Sequence, residues 1–433
     1  MNELKNVASK ALSSLIAHGA DSASVSAAYV ETREFNVDGG EFSLFRTMFD
    51  NSLVLTAIKE GKKGSAAVNH FDDESVDSTA ENCIAAADAS SSDKDWEFGP
   101  DAGEVSFDDG VTEPEMELLF SRCRELVDAI KLEYPKIIIE QLIVSHISRK
   151  AVYMNTNGSV FDRRSGSYSL MIMFSAHENG KGSSFYGTGF KTTDLSTPFI
   201  EQASIRRDLS SVEKQIYTKN ISGKFNGTVL VPPGCLGEIL YYALGTFADG
   251  AQVSSGTSLW KDKLGKSVAD ERLSVYLSPC CDDIISGTRW TSDGYLTEKF
   301  SLIEKGVLQS FVMNKYFANK TGLERSKNYS LDNLSVNCGE KAISDIIKGI
   351  DKGLLLGRIS GGRPSSSGDF SMVAKNSFLI EKGEIGEAVS EVMINGNLAD
   401  MLLNILDISK ERECDGGTNL PWISFGNITI SGK

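Results

Sequence analysis

Residues Glu238–Ser267 read EILYYALGTFADGAQVSSGTSLWKDKLGKS. Apolar residues from about Leu236 to Phe247 recur at helical spacing. A strand, Gly227–Val231, and the turn Pro232-Pro233-Gly234 lead into them, so the stretch reads as a buried helix entered from a strand. A helix of this dressing, small and apolar, can present metal ligands to a cleft, yet this one carries no histidine. Its tail, Trp260–Ser267 (WKDKLGKS), ends like a phosphate-binding loop. Trp260 stands where that motif needs glycine, and SSGTS replaces the buried strand before it, so the match is fortuitous.

Outward from that helix, the second half is strand-dominated with few helices. LSVYLSP, SDGYLTEKFSLIEKGVLQSFVMN and DNLSVNCGE read as strands with turns. A short helix near Ile343–Gly349, a helix Leu398–Ile408 and the closing strand WISFGNITISGK follow. The first half opens on a helix whose Leu4, Val7, Ala8, Ala11, Leu12, Leu15 and Ile16 share one face. Strands Ser24–Val30, Phe42–Phe49, Ser52–Lys59 and Ser65–Val68 come next. A helix over 72–90 with Asp72 or Ser75 as cap and a third helix, Pro114–Leu132, follow. Ile137–Ser145, Ser148–Asn155 and Val160–Ser175 are further strands, with a turn at Asn157-Gly158. A helix within 196–220 and a polar exit mark the junction. At 433 residues the chain is too long for one compact core. We therefore expect an α+β protein of two domains: 1–215, α+β with a mainly antiparallel sheet, and 216–433, β-rich.

The formal net charge of −15 repels a phosphate backbone. The densest basic spots are only Arg163-Arg164 and Arg206-Arg207, so no nucleic-acid partner is expected. There is no apolar run of the roughly 18 residues that a membrane-crossing helix needs. The N-terminus lacks the basic and apolar regions of a secretory signal, which points to the cytoplasm. Seven scattered cysteines do not form a disulfide framework. The histidines, His18, His70, His146 and His177, all precede residue 180. Neither His-Glu-x-x-His nor a Gly-x-Ser-x-Gly elbow occurs. In SSSGDFSMV (Ser365–Val373), Gly368, Asp369 and Phe370 open a strand after small residues. Such a segment can accept an extended peptide by strand addition, or be a plain hairpin connection.

TSLWKDKLGKSVAD, the SDGYLTEKFSLIEKGVLQSFVMNKYFANKTG block, SSSGDFSMVAKNSFLIEKGE, INGNLADMLLNI and LPWISFGNITISGK stand in one order from about Thr228 to Lys433. Together they resemble the TldD/PmbA family, also called modulators of DNA gyrase. The first half fits more loosely, through the opening helix, EGKKGSAAV and YMNTNGSV. The resemblance implies a peptidase pair. Its TldD-type member carries His-Glu-x-x-x-His upstream of a Gly-x-Ser segment, and a cysteine near the C-terminus completes a zinc site. The PmbA/TldE-type member lacks the histidines and acts as partner subunit. Counting back from Gly256-Thr257-Ser258 puts the histidines on Tyr241 and Thr246, the glutamate on Tyr242 and the third ligand near Cys414.

Tyrosine is a poor zinc ligand because its phenol, of pKa about 10, must first lose a proton. Without the glutamate no base remains for a metal-bound water. The expectation is therefore no catalytic residue and no cofactor in this chain, with zinc in a TldD-type partner. Tyr241, Tyr242, Gly368, Asp369 and Phe370 are the candidate peptide- or partner-binding residues. The substrate implied is an unfolded or leader peptide, and a homodimer is an option for the isolated chain. Two alternatives stand: a peptidase using Cys414 or a serine of Ser365–Ser367, and a non-enzymatic homodimeric regulatory protein.

Overall fold

The computed structural model describes residues 1–390 and 392–432. The chain runs α1 (Asn2–Ala17), β1 (Ser22–Asp38), β2 (Glu41–Lys59), β3 (Lys62–Val68), α2 (Asp73–Asp88), β4 (Glu104–Gly110), α3 (Met116–Glu133), β5 (Ile137–Asn155), β6 (Val160–Glu178), β7 (Lys181–Gly182), β8 (Tyr186–Thr192) and α4 (Ile205–Lys214). These strands form one sheet of order β3-β2-β1-β5-β6-β4, with β7 and β8 also on β6. All its pairings are antiparallel except β4 with β6.

The strands are longer than their sequence pattern suggests. Ser24–Val30 is only the start of β1, and Phe42–Phe49 and Ser52–Lys59 are one strand. Ile137–Ser145 and Ser148–Asn155 also fuse, into β5. The residues that look like interruptions, Asp50-Asn51 and His146-Ile147, sit in unbroken register opposite Val30-Tyr29 and Arg33-Thr32. Asp50-Asn51 lies on a solvated stretch and His146 is buried with its ring on the Val111 carbonyl, so neither pair ends its strand. A 19-residue strand spans about 60 Å at roughly 3.3 Å per residue. One helix of 16 residues covers only about 24 Å of it. Hence two helical layers lie end to end on the same face. α1 and α2 cover Ala23, Val25, Ala27, Val152 and Met154. α3 and α4 cover Phe35, Val37, Leu142, Val144, Leu170 and Ile172.

The rest of the chain is β9 (Lys219–Asn220), β10 (Lys224–Val231), α5 (Pro233–Phe247), α6 (Gly250–Ser254), β11 (Val275–Leu277), β12 (Phe300–Glu304), β13 (Val307–Leu308), α7 (Lys315–Thr321), β14 (Leu334–Val336), α8 (Ile343–Lys348), β15 (Lys352–Leu355), β16 (Arg358–Ser360), β17 (Asp369–Lys375), β18 (Ser377–Glu381), β19 (Glu384–Ser390), β20 (Val392–Asn397), α9 (Leu398–Leu403), β21 (Ile405–Cys414) and β22 (Asn419–Ser431). The second sheet follows β13-β12-β11-β14-β22-β10-β15-β18-β19-β9, and β16, β17, β20 and β21 branch from it. The fold is therefore α+β, with an antiparallel sheet in the first part and a strand-rich second part. The helix expected over Leu398–Ile408 stops at Leu403, because Ile405 and Ile408 enter the ladder opposite Phe425 and Ile423. Only the 3-10 turn Phe199–Glu201 and α4 are helical within 196–220. Among the described residues no helix is long and apolar enough to cross a membrane.

The two sheets are joined by polar contacts. The Asp93–Glu97 segment grips α7: Trp96 stacks on Tyr316 at 3.6 Å, Lys315 meets Glu97 at 3.3 Å, and Asp93 meets Lys320 at 2.6 Å. The Lys320 ammonium and the Tyr316 hydroxyl, 2.9 Å away, hold the Asp93 carboxyl down at about 2. A carboxyl depressed in the folded state contributes fully at neutral pH and loses that contribution as pH falls from about 4 to about 2. The Trp96 fluorescence is therefore expected to change in that window, measured as the difference from a Trp96→Phe variant. Asp93→Asn should remove the transition; a transition unchanged by that substitution would contradict the assignment.

Candidate functional site

α5 starts where Pro232 ends extended backbone and Pro233, needing no hydrogen-bond partner for its nitrogen, fits the first turn. Its Cys235, Leu236, Ile239, Leu240, Ala243, Leu244 and Phe247 enter the core of the second sheet. The opposite side carries the residues of interest. Tyr241 is 51% exposed. Its ring lies 6.4 Å from that of Tyr242, edge to face. The Tyr242 hydroxyl donates to Glu238 Oε1 at 3.2 Å, one turn earlier. Desolvation, then the Glu238 charge, pushes the Tyr242 phenol up, so it stays protonated at neutral pH and offers no anionic ligand.

The helix ends in a built corner. Gly256 adopts positive φ (77°), which turns the chain back. Ser258 Oγ then donates to the Phe247 carbonyl at 2.5 Å, and Trp260 packs on the Phe247 ring at 5.1 Å. The Gly256-Thr257-Ser258 segment is thus a C-terminal clasp on α5. Gly368 reaches the same corner, and a Cβ there would fall 2.5 Å from Phe247 Cζ. Gly368 thus meets α5 at its buried Phe247, whereas Tyr241 is exposed on the other side of the helix. Asp369 accepts from Asn397 Nδ2 (3.0 Å) and Ser367 Oγ (2.6 Å), which lowers its pKa, and Phe370 is buried in the core. Along β17, Ser365 N donates to Asp369 O at 2.9 Å. A Cβ on Gly362 would lie 1.8 Å from Ser371 O, so residues 362–365 already run against that edge.

Cys414 lies elsewhere, at the end of β21. Its Sγ donates to Asp283 O at 3.1 Å, and burial, followed by the Asp283 and Asp415 charges, pushes the thiol up. Three of the four histidines are spent in other places: His18 on Asp77 (3.2 Å), His146 on the Val111 carbonyl (2.7 Å) and His177 on Ser175 (3.0 Å), and His70 is exposed on the surface. Among the described residues no three His, Cys, Asp or Glu side chains converge to hold a metal ion. Two tyrosines, a threonine and one thiol in a separate segment do not fit zinc, which asks for about three N, S or carboxylate ligands. No chemical step is therefore derived through a metal in this chain.

Known proteins share this frame. The profile of the PmbA/TldA metallopeptidase C-terminal domain matches residues 222–432, and that of PmbA/TldA metallopeptidase domain 1 matches residues 23–87. The chain belongs to the PmbA/TldD family. It is 26% identical over 427 residues to the metalloprotease PmbA of Escherichia coli O157:H7, covering 93% of this chain and 90% of that one. TldE from Thermococcus kodakarensis superposes with a TM-score of 0.83 at 19% identity, over 99% of this chain and 100% of the other. A proposed modulator of DNA gyrase from Bacteroides thetaiotaomicron also reaches 0.83, at 20% identity and full coverage of both chains. These likenesses fix the fold across the whole length, including the loosely matching first half.

Two features had no sequence signal. The clamp of 93–97 on α7 and the Arg207–Glu413 pair both join residues some two hundred positions apart. The expectation that Arg163 and Arg206-Arg207 form only modest basic spots has a structural counterpart. Arg163 faces Asp109 (2.7 Å), Arg206 meets Glu133 and Glu201, and Arg207 meets Asp208 and Glu413.

Proposed function

We propose that this chain is the PmbA/TldE-like subunit, without zinc of its own, of a cytoplasmic TldD–TldE metallopeptidase acting on unfolded or leader peptides. The TldD-type partner would supply the zinc and the bond cleavage, and this chain would complete the peptide cleft. The observation that carries the reading is an intact family frame around a helix whose ligand positions hold Tyr241, Tyr242 and Thr246. Tyr241, Tyr242 and Gly368 remain the proposed contacts to peptide or partner.

The surface supports pairing with another chain. β3 pairs β2 only from Leu53 to Lys59, so among the described residues the outer edge of Glu41–Ser52 has no strand beside it. That length exposes Phe42, Leu44, Phe45 and Phe49, the last by 62%. A long apolar edge left open invites another strand.

The self-contained alternatives find little chemistry. The Cys414 thiol is pushed up rather than activated, and its hydrogen bond goes to a carbonyl. Ser365 and Ser367 bond to each other (2.8 Å) and Ser367 to Asp369, and among the described residues no imidazole is hydrogen-bonded to either to take a proton. Affinity capture on the tagged chain from its native cell is the test. A TldD-type chain should be retained in equal amount, and Phe45→Asp with Phe49→Asp should release it. Capture of the tagged chain with no TldD-type companion would contradict the proposal.

A further inference from the structure

A cleft of about 620 Å³ opens between the two sheets, on the face of the first sheet opposite its helices. That volume lies within the roughly 300–1,000 Å³ typical of small-ligand sites. Its floor is built by register. Arg149 stands opposite Ser165, Ile147 opposite Ser167 and Ala151 opposite Arg163, so these side chains share one face of β5 and β6. The roof is the Cys281–Ser292 segment of the second part of the chain. Arg289 bridges roof to floor by gripping Asp109, and Arg163 donates to the Gly287 carbonyl at 2.6 Å.

The charge inside opposes the charge of the chain. The lining holds Arg149, Arg163, Arg289 and Lys191 against Asp109 and Asp282, in a protein of net charge −15. Arg163 and Arg289 both spend themselves on Asp109. Arg149 does not: it lines the cleft, open to solvent, with no carboxylate at ion-pair distance among the described residues. A guanidinium lining a cleft with no carboxylate to hold it is free to take an anion that enters. The planar fork matches a carboxylate bidentately, and the apolar wall beside it favours an organic acid over inorganic phosphate. Beside it, Ile147, Ile284, Ile285 and Trp290 supply an apolar wall, and Ser165 and Ser167 supply hydroxyls.

We infer that this cleft is a carboxylate-binding site, in which Arg149 takes the free carboxylate of a peptide C-terminus or small organic acid whose apolar group packs on the Ile284–Trp290 wall. The inference stands independently of whether the chain pairs with a TldD-type subunit. Calorimetric titration of the full chain with three probes tests it: acetyl-Ala-Ala-Leu with a free carboxylate, the same peptide as its amide, and 4-methylvalerate. Inorganic phosphate serves as a fourth arm. The free acid should bind at least about tenfold more tightly than the amide, the equivalent of about 1.4 kcal/mol. Arg149→Ala should lose that preference and Arg149→Lys keep part of it, each with an unchanged circular dichroism spectrum. Binding of both acids, or of 4-methylvalerate alone, supports the site and tells which source it prefers. Equal binding of acid and amide, binding of phosphate alone, or no binding of either acid would overturn it.

Discussion

Purified without a partner, the protein is expected to hold zinc far below one ion per chain and to show no peptide hydrolysis that a chelator removes. The reason is ligand chemistry rather than accessibility. Tyr241 and Tyr242 are open enough to meet solvent, but a phenol of pKa about 10 pays the cost of deprotonation before it can bind a metal. The Tyr242 phenol is shifted further up by desolvation and Glu238. Thr246 offers a neutral hydroxyl, and Cys414 donates to Asp283 in another segment. The nearby Glu238 carboxylate is engaged by the Tyr242 hydroxyl and does not stand where the resemblance puts the family's glutamate, so a bound water would also lack the base expected there. Atomic absorption on the isolated chain and hydrolysis of a casein substrate with and without chelator are the measurements. Stoichiometric zinc with chelator-sensitive hydrolysis would contradict the expectation.

The second large effect concerns the joint between the two halves of the chain. Arg207 reaches Asp208 at 3.2 Å and also pairs with Glu413, while its guanidinium lies 5.3 Å from the Trp422 ring. The Asp208 side chain is 6% exposed and that of Glu413 18%. Burial pushes both carboxyls up, and Arg207 is the first group to offset it. Removing one partner of a buried pair costs about 3–5 kcal/mol. Arg207 itself is 36% exposed, so for Arg207→Ala we expect about 2–3 kcal/mol in urea unfolding. The sign with pH follows from the raised pKa values. Protonated Asp208 and Glu413 need no counter-charge, so the deficit should shrink as pH is lowered through those values. A loss that is independent of pH, or below about 0.5 kcal/mol as for a surface pair, would show that the pair is not structural.

How much of this was legible depended on distance along the chain. Helices were readable because their faces are local: Leu4 to Leu15 and Cys235 to Phe247 repeat within a few turns. Strand length was not, because whether Asp50-Asn51 ends β2 is decided by its neighbour β1 and not by its own residues. The same ladder claimed Ile405 and Ile408 from an otherwise helical pattern. The altered ligand positions on α5 were visible because the surrounding segments keep their order, and Gly256–Ser258 proved to clasp the end of that helix. The cleft could not be read, since Asp109, Arg149, Arg163 and Arg289 are scattered singly and meet only where three strands of the first sheet lie under the Cys281–Ser292 segment. Nor could the covered edge of β17, which depends on where residues 362–365 fold back.

The claim that this chain serves a metallopeptidase without being one is tested most directly by reconstitution. The chain is mixed in equal amount with a separately purified TldD-type chain from the same cell, and hydrolysis of an unfolded peptide is followed with and without chelator. The prediction is chelator-sensitive hydrolysis at least about tenfold above the sum of the two chains alone, a barrier change of about 1.4 kcal/mol. No gain on mixing, or hydrolysis by this chain alone that survives the chelator, would contradict it.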